Sequence, residues 1–130
     1  MRVVFDTNIF ISALVFPGSQ AEKAIQKIIE RDTLLISKAI INEVLLVLSR
    51  KFSSDPEELS RIAVYLAELG EMVRPAKKVR VFQDEADNRI IECAFSGRAD
   101  VIVTGDKEML TLKEYRGTRI ISLREYLSSK

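Results

Sequence analysis

Two kinds of apolar segment alternate along the chain. Short continuous runs rich in β-branched residues stand at Arg2–Phe5, Leu34–Ile36, Val101–Val103 and Arg119–Ile121. Runs of this type read as strands covered on both faces. Met72-Val73 is a weaker run of the same kind. Between them lie helical patterns. The apolar stretch Ile9–Phe16 stops at Pro17-Gly18-Ser19, and Ser19 caps a helix over 20–31. There Ala21, Ala24, Ile25, Ile28 and Ile29 keep the i, i+3, i+4 spacing. Ser37 caps a helix over 38–51. Ser53-Ser54-Asp55-Pro56 starts the next one, with Pro56 at its first position, and it runs to Leu69 and stops at Gly70. Asp84 opens a helix that ends before Gly97, read as a helix-terminating glycine. Short helices follow over 106–112 and after Ser122, while 75–83 has no regular pattern. This order predicts one α/β domain over 1–130. It is a three-layer sandwich with a central, mainly parallel sheet of about five strands flanked by helices. In such sheets ligands bind at the carboxyl ends of the strands, where the strand order reverses.

Composition narrows the chemistry. At 130 residues, 47% hydrophobic and 30% charged, the chain is too apolar to be disordered and long enough for one core. No apolar run approaches the ~20 residues that cross a bilayer. Asp6 interrupts the N-terminus before a secretory apolar stretch forms, so a cytoplasmic protein is expected. There is no histidine and a single cysteine, Cys93. That removes serine triads, histidine acid–base pairs, histidine or cysteine zinc sites and internal disulfides. The net charge of +1 leaves a polyanionic partner open. Carboxylates, lysine, hydroxyls or a hard metal bound through oxygen remain.

Four acids stand out. Asp6 follows the first strand, and Asp106 follows Val101–Val103 through Thr104-Gly105. Either alone suits a helix cap; the pair, at equivalent strand ends, points to a site. Asp87 shares a helical face with Ile91 and Ala94, flanked by Ile90, and so lies on an extension of the buried stripe. Arg89 and Glu92 are assigned to the polar face. Offsetting the helix dipole is the competing role, and Asp84 fits it better. Glu43 sits in the run 39–48, beside Ala39, Leu46 and Val47. Buried alone there, a carboxylate costs several kcal/mol or takes up a proton. A nearby cation or water-filled cleft removes the difficulty; a glutamate at the helix edge reaching water is the alternative. Four converging carboxylates repel one another, and one or two Mg²⁺ or Mn²⁺ ions resolve this with oxygen ligands. Such ions activate water and stabilise phosphoryl oxygens, so phosphodiester hydrolysis suits the set best.

The segments Asp6-Thr7-Asn8, Glu43 in its apolar helix, Asp87-Asn88-Arg89-Ile90-Ile91-Glu92-Cys93-Ala94 and Ala99-Asp100-Val101-Ile102-Val103-Thr104-Gly105-Asp106, taken in order, resemble the PIN-domain family of small metal-dependent nucleases. The resemblance implies a parallel five-stranded sheet with a ribonuclease site at its carboxyl edge. It implies that Asp6, Glu43 and Asp87 are the core metal-binding acids and that Asp106 is a more variable fourth. Asn8 and Thr104 look like helpers that orient a ligand or a carboxylate, with capping of the following turn an equal alternative. Asp100 precedes its strand and belongs to the opposite rim. Many compact members of this family are toxins of type II toxin–antitoxin pairs that cut RNA, are neutralised by an antitoxin protein and commonly form homodimers. The resemblance implies those properties for this chain.

The resulting expectation is a metal-dependent endoribonuclease acting on single-stranded RNA. Lys107 and the basic cluster Arg74, Lys77, Lys78 and Arg80 would bind flanking phosphates, against the plainer reading of a solvated surface. Three rivals stand beside it. A magnesium-dependent phosphohydrolase is weakened by Asn8, where a second aspartate would be expected. A receiver domain would carry an acidic pair beside its first strand and a phosphoacceptor aspartate after its third, and neither is evident in this sequence. A non-catalytic module binding RNA or protein would not need the acids. Cys93, Leu59, Ile62, Leu66, Leu69 and the apolar residues of 110–127 are assigned to the core or, for the leucine stripe, to a dimer contact.

Overall fold

A computed structural model describes residues 1–52 and 55–129; Ser53 and Ser54 of the helix-start signal lie outside the described residues. The buried runs form the strands β1 (Arg2–Phe5), β2 (Thr33–Ser37), β3 (Glu71–Val73), β4 (Val101–Val103) and β6 (Thr118–Ile121). The helices are α1 (Thr7–Val15), α2 (Gln20–Arg31), α3 (Lys38–Lys51), α4 (Pro56–Leu69), α5 (Glu85–Gly97), α6 (Lys107–Leu112) and α7 (Leu123–Ser128). Ser19, Ser37, Asp55, Asp84, Asp106 and Ser122 each cap a helix by accepting a backbone N–H, as their side-chain chemistry dictates.

The sheet has six strands rather than about five. Its order is β3-β2-β1-β4-β6-β5, parallel except for the last pair. The additional strand, β5, is only Glu114–Tyr115, too short to carry a pattern. It folds back on β6 through Arg116 (φ 47°) and Gly117 (φ 91°), a two-residue turn that needs positive φ at both positions. The helices flank this sheet. Val4, Phe5, Leu35, Ile36, Ile91, Ile102, Leu66 and Tyr126 are fully buried, while Leu59, Ile62 and Leu69 are half-buried against that core. Cys93 is buried, as its small apolar character suggested.

Gly97 has a different role from the expected one. It is the last residue of α5, and the left-handed cap falls on Arg98 (φ 55°). A Cβ at Gly97 would stand 2.9 Å from both Leu35 Cδ1 and Val73 Cγ2, so the glycine permits close approach of helix to sheet. Glu92 also departs from expectation. It is buried, because 79–82 crosses over that face of α5 and Val79 N–H donates to Glu92 Oε2 at 2.9 Å.

Candidate active site at the carboxyl rim of the sheet

The strand order runs outward in both directions from β1 and β4, so the reversal falls between these two neighbours. They pair in parallel with Phe5 opposite Val103, and Asp6 N–H continues the ladder to Val103 C=O at 2.9 Å. Asp6 and Thr104 therefore leave the sheet side by side at its carboxyl rim. This is the crevice that an open α/β sheet offers a ligand.

Asp6 is 5% exposed. Its Oδ2 accepts the Thr104 hydroxyl at 2.6 Å, and its Oδ1 accepts Asn8 N–H at 3.4 Å, capping α1. Thr104 is fully buried, and its oxygen accepts Asp106 N–H at 3.0 Å. A chain of donors thus runs from the Asp106 backbone through Thr104 to the Asp6 carboxylate. Asp106 also caps α6, accepting Met109 N–H at 3.1 Å. For Asp6 and Asp106 the capping role and membership of an acidic group coexist. Asn8 contributes its backbone N–H, and its side chain faces solvent.

Asp87 sits in the first turn of α5 and is 8% exposed. No described donor hydrogen-bonds to its carboxylate. Burial raises its pKa to about 7, reinforced by the negative charges of Asp84, Asp106, Asp6 and Glu108. Burial likewise raises Asp6, against the lowering effect of the Thr104 and Asn8 hydrogen bonds, and Asp106 adds to the rise. Asp6, Asp87 and Asp106 are thus within electrostatic reach of one another, joined by Asp84 and Glu108, which sequence reading did not place there. Asp84 stands three residues before Asp87 at the start of α5, and Glu108 two after Asp106 at the start of α6; that shared helix start was the available signal.

Glu43 stands apart. It is half-buried on α3, next to Leu46 at 41% exposure, and makes no hydrogen bond or ion pair with a described residue. Half-burial fits a water-filled cleft and a helix edge alike, and departs only from isolated burial. Asp100 lies at the opposite rim, where its Oδ2 accepts Arg2 N–H at 2.7 Å. Among the described residues no three acidic side chains close around a common point tightly enough to hold an ion by themselves.

The basic positions are exposed: Lys107 beside Asp106, and Arg74, Lys77, Lys78 and Arg80 on the irregular segment. That segment is pinned along α5 by a polar row that sequence reading missed. Asn88 Oδ1 accepts Val81 N–H at 3.0 Å and Phe82 N–H at 2.8 Å, and its Nδ2 donates to Phe82 C=O at 2.8 Å. Glu92 takes Val79 N–H, and Ser96 Oγ takes Ala76 N–H at 3.2 Å. Asn88, Glu92 and Ser96 recur every four residues, one face of a helix, and that spacing was the available signal.

A family model described as PIN domain matches residues 2–108. The chain belongs to the PIN-domain family. A curated relative, the uncharacterized protein MJ1680 of Methanocaldococcus jannaschii, is 30% identical over 119 residues, covering 88% of this chain and 76% of the relative. Two solved structures share the fold at a TM-score of 0.67. One is VapBC2 from Rickettsia felis bound to a DNA fragment from their promoter, 14% identical, covering 94% of this chain and 98% of the other. The second is VapBC-1 from nontypeable Haemophilus influenzae, 16% identical, covering 95% and 99%.

The donor chemistry of this PIN domain suits a hard divalent cation. The acids offer only oxygen, the charges acting most strongly on Asp87 are all negative, and Asp87 has no hydrogen-bond donor of its own among the described residues. Mg²⁺ keeps several waters and takes one or two carboxylates directly, so acids that do not form a closed cage still fit it. Among the described residues no helix is long and apolar enough to cross a membrane.

Proposed function

We propose that this PIN-domain protein is a Mg²⁺- or Mn²⁺-dependent endoribonuclease that hydrolyses phosphodiester bonds of single-stranded RNA. The observation that carries the reading is the group of mutually repelling carboxylates at the reversal of strand order, with Asp87 buried and without a donor. Family membership supports hydrolytic chemistry on a nucleic acid.

Asp6, Asp87 and Asp106 hold one or two ions, with Glu43 assigned to the same set by the family resemblance. When bound, the ions lower the pKa of a coordinated water and offset charge on the phosphoryl oxygens. The protein's own part is preorganisation. Thr104 fixes the Asp6 carboxylate from the neighbouring strand, so one ligand is held before any ion arrives. Asp106 N–H holds Thr104 in turn. Lys107 and the basic segment bind phosphates on either side of the scissile bond. Asn88 keeps that segment against α5 one residue from Asp87.

A toxin role, with an antitoxin protein as partner, a homodimeric state and a cytoplasmic setting, belongs to the same reading. The shared fold with chains of two VapBC structures supports it. Incubating the protein with a mixed RNA pool, with and without EDTA, tests the activity. Metal-dependent cleavage lost in both Asp6→Asn and Asp87→Asn is the expected result. Cleavage unchanged in both variants overturns the site, and metal binding without hydrolysis of any RNA returns the protein to the class of binding modules.

A further inference from the structure

At the amino rim of the sheet, opposite the acids, a cavity of about 490 Å³ lies between the end of α5 and the β5–β6 turn. Its charged lining residues are Arg98 and Arg116, and neither pairs with a described carboxylate. Both hold left-handed backbone conformations, φ 55° and 47°, which favour glycine or asparagine over arginine. Phe95, 39% exposed, forms an apolar wall. The Arg116 guanidinium stands 5.6 Å from the Phe95 ring centre and 5.7 Å from that of Tyr115. Unpaired guanidinium charge beside a half-open aromatic ring suits a nucleotide, phosphate to arginine and base to ring.

The same cavity is joined to the acids. Ala76 and Ser96, hydrogen-bonded to each other, line it, and from there 76–82 runs antiparallel to α5 as far as Asn88. Lys77, Lys78 and Arg80 lie along that path, exposed and without a described carboxylate partner. From Ser96 to Asn88 the helix rises ~12 Å. A positive track therefore leads from the arginine cavity to the Asp87 end of α5, the kind of surface a flexible polyanion follows.

We infer that the Phe95–Arg98–Arg116 cavity is a second RNA-binding site, which holds a nucleotide of a single strand whose continuation follows Lys77, Lys78 and Arg80 to the acidic rim. This rests on the ribonuclease reading for its choice of RNA. It assigns the cavity to binding alone, away from the bond that is cut.

The test is fluorescence anisotropy with a labelled twelve-nucleotide oligouridylate in EDTA, using the Asp6→Asn protein so that no cleavage intervenes. Adding Arg98→Gln and Arg116→Gln together should weaken binding about tenfold and reduce the salt slope by about 1 to 2. Phe95→Ala should weaken it about fivefold at unchanged salt slope. Thermal unfolding checks each variant, and the arginine pair carries the test if Phe95→Ala fails to fold. Affinity unchanged in the folded arginine double variant overturns the proposal. Displacement of the RNA by polyglutamate at equal charge concentration also overturns it, in favour of an acidic peptide site. Cleavage by wild type with unaltered binding in the arginine variant removes this cavity alone. Arginine-dependent binding without cleavage removes the nuclease reading alone.

Discussion

The Thr104 hydroxyl donates to Asp6 Oδ2 at 2.6 Å, joining the residue that follows β1 to the residue that follows β4. The bond is buried and one partner is ionisable, the class worth about 1.5–3 kcal/mol. Its removal leaves a buried carboxylate oxygen without its donor. Thr104→Val keeps the shape and deletes the hydroxyl. It is expected to lower unfolding free energy by ~1–3 kcal/mol and Mn²⁺ affinity ~10–100-fold. Denaturant unfolding and a Mn²⁺ titration check this, and unaltered metal affinity in a destabilised variant would make Thr104 a purely structural residue.

Stability of the metal-free protein should fall as pH rises from about 4 to about 7. Asp87 has its folded pKa raised to about 7 from 3.8, so between those values the fold binds a proton that the unfolded chain has lost. Fold stability then drops by up to ~1.4 kcal/mol per pH unit, and the loss is complete above the folded value. Asp6 acts in the same direction. Asp32 is shifted downward, so its contribution is lost only as pH falls below the ordinary aspartate range, outside this window. Denaturant midpoints in EDTA should be higher at pH 5 than at pH 8, and Asp87→Asn should flatten the difference. Adding Mn²⁺ at pH 8 should restore stability by binding the folded state.

Asn88 makes three short hydrogen bonds to the backbone of Val81 and Phe82. Asn88→Ala releases that segment and strands two N–H groups. Amide exchange at Val81 and Phe82 is expected to accelerate at least tenfold, and KM for RNA to rise more than kcat falls. An unchanged exchange rate would show that other contacts hold the segment.

Glu43 is half-buried without a described polar partner, so losing its charge should cost little stability. Surface changes of this type stay within about ±0.5 kcal/mol. Glu43→Gln is nevertheless expected to lower RNA cleavage at least 100-fold if it shares the metal set. Full activity in this variant would confine the site to Asp6, Asp87 and Asp106.

Most elements of the fold were legible because local signals agreed. Serine or aspartate stood before the helices beginning at Gln20, Lys38, Pro56, Glu85, Lys107 and Leu123, and the main strands were continuous buried runs. Where the reading missed, tertiary packing decided. Gly97 looked like a helix terminator, yet Leu35 and Val73 crowd its α-carbon, which no local pattern reveals. Glu92 looked solvated because the overlying segment 79–82 has no periodicity of its own. β5 was too short to register. In the site, the strand-end rule placed Asp6 and Asp106, and helical periodicity placed Asp87. The apolar neighbours of Glu43 suggested burial, but Glu43 is half-buried and Leu46 beside it is exposed.

Anomalous diffraction from crystals soaked in MnCl₂ tests the central claim most directly. An anomalous peak between Asp6 and Asp87, with oxygen or water-bridged contacts to both and to Asp106, is the predicted result. No peak at this rim under saturating Mn²⁺, or a peak only elsewhere on the molecule, would contradict the account.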